Sequence, residues 1–152
     1  MNSKLVLGAM FVSVGLASGV ALADGPQQVG TASKHAGFAA AATDMKDVQK
    51  HMHHVLNCLV GPNGKGFDES FGNPCNGQGQ GAIPETADAG TKAKLESALT
   101  TTCQAVSTTD VGAAKKGASD VAGMLKYAVV RVAVMLPRPS CRGSFFKARA
   151  GA

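Results

Sequence analysis

Between Gly61 and Pro84 the chain carries seven glycines and three prolines. No helix or strand survives that density, because each glycine must lose extra backbone freedom and each proline removes a hydrogen-bond donor. The segment therefore reads as loop. It divides the chain into two stretches, each long enough for a pair of helices and too short for a domain of its own. Both stretches are rich in Ala, Leu and Val, and the whole sequence has no Trp and a single Tyr. Small aliphatic side chains suit closely approaching helices better than the aromatic-rich faces of a β-sandwich. The expected fold class is all-α: two antiparallel helical hairpins forming a four-helix bundle, with the Gly-rich loop 61–84 between them.

The first hairpin is expected over about 31–60, with helices from about Thr31 to Ala42 and from about Asp44 to Val60. Thr43 and Asp44 break the pattern and can cap the second helix, Asp47 adds negative charge to its first turn, and Gly61-Pro62 stops it. The second hairpin is expected over about 87–127. Leu95, Ala98, Leu99, Thr102 and Val106 form one stripe of its first helix, and Thr109-Asp110 opens its second. The halves look like one unit used twice: with Thr43-Asp44 laid on Thr109-Asp110, Lys50 meets Lys116, Val55 meets Val121 and Leu59 meets Leu125, while upstream Ala32 meets Ala98 and Ala39 meets Ala105.

Residues 1–23 have the pattern of a cleavable signal peptide. Lys4 is the only charge, an uncharged apolar run follows from Leu5 to Ala23, and Ala21-Leu22-Ala23 places small residues before Asp24. An uncleaved anchor is the competing reading of a run this long. The folded part then covers 24–130, the destination is periplasmic or secreted, no stable membrane anchor is expected after cleavage, and with no Cys near the cleavage site no lipid anchor is expected. The formal charge of +5 is unevenly placed: Asp24 to Asp120 holds eight basic and ten acidic residues, whereas Val121 onward holds six basic residues and no acid. The segment 131–152 is thus a basic tail, interrupted by Pro137, Pro139 and Gly143, and expected to be disordered. Its charge attracts polyanions without specificity, so no specific nucleic-acid partner is implied.

All four histidines, His35, His51, His53 and His54, lie in the first half; the matching positions of the second half are Thr101, Gly117, Ser119 and Asp120. The scaffold therefore does not need imidazoles there. On the second helix His51, His54 and Cys58 follow i, i+3, i+7 spacing and share a face, while His53 points elsewhere. His35 stands eight residues before the turn at Thr43 and His51 eight after it, so a hairpin brings them to one level. His35, His51 and His54, with Met52 as a further candidate, can converge on one ion, for which copper or zinc is the expectation. There is no HExxH to imply a catalytic zinc. A cluster of solvated histidines is the competing reading.

Cysteine usage fits an oxidising compartment. Cys58 with Cys75 is the favoured pair, because it would anchor the loop; closing about seventeen residues contributes about 3 kcal/mol in the chain-entropy model. Cys103 is the competing partner, and Cys141 is left in the tail. A bridge at Cys58 would remove its thiolate as a metal ligand. Other motifs fail. Lys65 in Gly61-Pro62-Asn63-Gly64-Lys65-Gly66 is not followed by Ser or Thr as a phosphate loop requires, Asp68-Glu69 lacks the repeated acids of an EF-hand, and no Cys-x-x-Cys-His is present. Ser70, Cys75 and His53 or His54 lack the strained elbow and orienting acid of nucleophilic catalysis, so no enzyme and no catalytic residues are expected.

His35-Ala36 on a first helix, Thr43-Asp44 at the turn and His51-Met52-His53-His54 on the return resemble the small metal-binding protein family of bacterial periplasms, over about twenty-five residues. The resemblance implies a helical bundle that binds copper and other divalent ions. It also implies histidines on all helices, which the second half of this chain lacks, so one or two sites are the most it supports. The expected function is metal buffering or carriage. The alternative is a non-catalytic interaction module, in which exposed Phe67 and Phe71 on the tethered Gly-rich loop meet a protein partner.

Overall fold

The computed structural model describes residues 25–128. The expected leader 1–23, the tail 131–152 and Cys141 lie outside the described residues. What is described is all-helical: α1 (Gly25–Ala41), α2 (Met45–Val60), a 3-10 turn (Glu69–Phe71), the short α3 (Ala82–Glu85), α4 (Ala89–Ser107) and α5 (Val111–Tyr127). None of these helices is long and apolar enough to cross a membrane.

Three of the four long helices begin as their sequences suggest. The carboxylates of Asp44, Asp88 and Asp110 accept hydrogen bonds from the backbone N–H groups of Asp47, Thr91 and Ala113, three residues into each following helix. Each bond satisfies a donor that the first turn cannot pair internally. Helix α1 starts six residues earlier than the expected Thr31. Its Gly25-Pro26 opening looks like a break, yet proline costs little in a first turn, where its missing N–H would have no partner. Burial stabilises the extra turn: Gln28 is fully buried and Val29 nearly so. Gln28 Nε2 donates to Gln78 O at 2.7 Å and to Glu85 Oε2 at 3.1 Å, fastening the loop to the start of α1.

Helix α1 packs against α2 and α5, and α4 packs against α5 and α2. Met52, Val48, Val55, Leu59, Leu95, Val121 and Leu125 fill the centre, each such side chain contributing about 1.5–3 kcal/mol by leaving water. Ala32, Ala36, Ala39, Ala98, Ala105, Ala114 and Ala118 are buried between them and let the helix axes approach. The sequence repeat is reproduced in burial, since Ala32 and Ala98, Ala39 and Ala105, Val55 and Val121, and Leu59 and Leu125 are all core residues.

The 61–84 segment is loop for most of its length but contains two short helical pieces. The bridge between Cys58 and Cys75 is present, and both sulfur-bearing residues are buried. Cys103, the competing partner, is itself disulfide-bonded. The expected exposure of Phe67 and Phe71 is corrected: both are half-buried, Phe67 packs against the core and Phe71 lies on His53. The tether at Cys58 holds the loop against α2, where both rings find partners.

Candidate metal centre

The three-residue link between α1 and α2 returns the chain directly, and the expected levelling of His35 with His51 follows. His35 Nδ1 stands 3.1 Å from His51 Nδ1 and 3.2 Å from His54 Nδ1. His51 and His54 are one turn apart on α2, the spacing at which helical side chains are neighbours. Among the described residues these three form the group of His, Cys, Asp or Glu able to share an ion, their ligand atoms all lying within 4.8 Å of one another.

The fit to a metal can be judged from bond lengths. Zinc–nitrogen bonds of about 2.0–2.1 Å in a tetrahedral site set two nitrogens about 3.3–3.4 Å apart. The observed 3.1 and 3.2 Å separations need only a small outward adjustment. The rings are not stacked in parallel. His35 and His54 meet edge to face at 82°, His51 and His54 at 73°, and His35 and His51 are tilted by 34°, so the three nitrogens are carried on rings of different orientation.

The loop determines which nitrogen His54 offers. His54 Nε2 lies 2.7 Å from the carbonyl oxygen of Phe71. A carbonyl only accepts, so Nε2 carries the proton, and in the neutral ring Nδ1 is left as an acceptor facing His35. Turning the ring over would present carbons to both polar partners. A metal-binding imidazole commonly has its other N–H bound to a carbonyl or carboxylate in this way, which holds the ring and raises its basicity.

Burial disfavours the charged forms of His35 and His51. The pKa of His35 is lowered to about 4, first by burial and then by the neighbouring His54, His51 and Lys50. His51 is lowered by burial, His54 and Lys50, partly opposed by Asp47. Both rings are therefore neutral near pH 7, the state in which imidazole binds metal. With His54 Nδ1 as an acceptor, His35 Nδ1 is the donor of the 3.2 Å contact between them.

His53 stands apart as its spacing suggests. Its ring stacks on Phe71 at 3.6 Å and 4°, and burial lowers its pKa. Met52 is wholly buried in the core, which accounts for its place in the sequence without a ligand role. Cys58 is held in its disulfide and so supplies no thiolate. Phe38, 55 % exposed, borders the cluster with its ring 5.6 Å from His35 and 5.4 Å from His51.

Sequence reasoning missed Asn57. It is fully buried on α2, one turn beyond His54. Its Nδ2 donates to Asp68 O at 2.8 Å and Gly72 O at 2.7 Å, and its Oδ1 accepts from Asp68 N at 3.0 Å. One side chain thus braces both ends of the turn that carries Phe71. An Asn in the last turn of α2, on the line of His54, was the available signal, because Asn is a poor helix former without a specific partner. No protein-family model, no curated protein and no solved structure matches this chain.

Proposed function

We propose that this protein binds one copper or zinc ion through His35, His51 and His54, for buffering or carriage and not for catalysis. The observation that supports this most directly is the convergence of three imidazole Nδ1 atoms with the far nitrogen of His54 tied to a carbonyl. Neutral imidazole is a ligand that both ions accept. The scaffold is read as a bundle of two antiparallel hairpins, in keeping with the short links at 42–44 and 108–110. Export is proposed from the apolar run Leu5 to Ala23, and a structural disulfide is in keeping with an oxidising destination. The small periplasmic metal-binding proteins remain a resemblance. The loop's phenylalanines being half-buried disfavours the alternative of a partner-binding loop and favours a loop that holds the histidines.

Calorimetric titration of the purified protein with copper and with zinc tests the reading. The expected result is saturable uptake of about one ion per chain, as one three-nitrogen site implies, lost in the His51→Ala, His54→Ala double variant. Equal binding by that variant would place the ion elsewhere and end the proposal.

A further inference from the structure

We propose that Gly72 is a positioning residue of this centre: its backbone conformation aims the Phe71 carbonyl at His54 Nε2 and thereby selects Nδ1 as the metal-binding atom. The inference rests on the metal reading of the histidine cluster and extends it to the loop.

Gly72 adopts φ 85° and ψ 164°, a region that is essentially closed to residues with a side chain. The peptide unit joining Phe71 to Gly72 is engaged at both ends. Its N–H donates to Glu69 O at 2.8 Å, closing the 3-10 turn, and its carbonyl accepts from His54 at 2.7 Å. The carbonyl of Gly72 itself is held by Asn57 at 2.7 Å. On the other side of the turn, Asp68 Oδ1 accepts from Ser70 N at 2.9 Å and from Ser70 Oγ at 2.6 Å. The turn is thus held at Asp68, Glu69 and Gly72, and the Phe71 carbonyl is the part that meets the histidines.

A side chain at this position would not collide with its surroundings, since the nearest atom to an added Cβ is His54 Nε2 at 3.9 Å, an ordinary contact. The penalty for alanine is therefore in the backbone. Relieving the positive φ rotates the 71–72 peptide and carries its oxygen off His54. With no acceptor at Nε2 the ring is free to turn, and the proton is free to occupy Nδ1, where it competes with the ion.

The test pairs an imidazole nitrogen–proton NMR correlation of the metal-free protein with a zinc titration. It uses wild type, Gly72→Ala, and Phe71→Leu, which keeps the carbonyl and removes the ring stack. Wild-type His54 is expected to be protonated on Nε2 alone. Gly72→Ala should lose that single tautomer and bind zinc about 10–100-fold more weakly, the usual consequence of losing such a bond, with helix content unchanged by circular dichroism. Phe71→Leu should retain both tautomer and affinity. Nδ1 protonation in the wild type, or a Gly72→Ala protein with unchanged tautomer and affinity, would overturn the role of Gly72 while leaving the metal site standing. A wild-type protein that takes up no zinc overturns the metal reading and the selection of Nδ1 together.

Discussion

Histidine 35 sits where a charge is least welcome. Burial and the neighbouring His54, His51 and Lys50 hold its pKa down to about 4, against 6.5 in an open chain. His51 and His53 are lowered as well, each chiefly by burial. In the pH interval from 6.5 down to about 4 the unfolded chain therefore binds protons that the folded chain refuses, and linkage makes the folded state less stable as pH falls. The stability of the metal-free protein should thus be fully present above pH 6.5 and decline progressively below it. Urea midpoints measured at a series of pH values, with chelator present, check this. A midpoint that holds level or rises on acidification would mean that the three rings are more solvated than their packing implies.

At the scale of elements, α2 and the loop behave as one piece. Within six residues α2 presents His53 to the Phe71 ring, His54 to the Phe71 carbonyl, Asn57 to Asp68 and Gly72, and Cys58 to Cys75. The loop's own backbone hydrogen bonds close isolated turns only, so these attachments to α2 offset much of its ordering entropy. Replacing Cys58 and Cys75 together by Ser should lower unfolding stability by about 3 kcal/mol, the chain-entropy value for a loop of this length. Thermal or urea unfolding measures it. A loss below about 1 kcal/mol would show that the side-chain attachments alone restrain the loop in both states.

For the whole molecule, an ion held by His35 of α1 and by His51 and His54 of α2 would tie the two helices together. Binding to the folded state alone raises stability by mass action, about 2.7 kcal/mol at a free zinc concentration one hundred times Kd. Zinc should therefore raise the unfolding midpoint of the wild type and leave that of the His51→Ala, His54→Ala variant unmoved; an equal rise in both would assign the effect to another site. The all-helical class, the caps at Asp44 and Asp110, the loop position and the equal level of His35 and His51 were legible in the sequence, because glycine, proline, capping residues and helical periodicity act over a few neighbours. The start of α1 was not legible, since Gln28 is held by a loop about fifty residues away and Val29 is buried in the core. Nor were the tautomer of His54, the brace of Asn57 or the seating of Phe71. The sequence by itself determined which long helices form and which of them carry imidazoles. Only the tertiary structure decided which nitrogens face one another, because that depends on where a distant backbone carbonyl comes to rest.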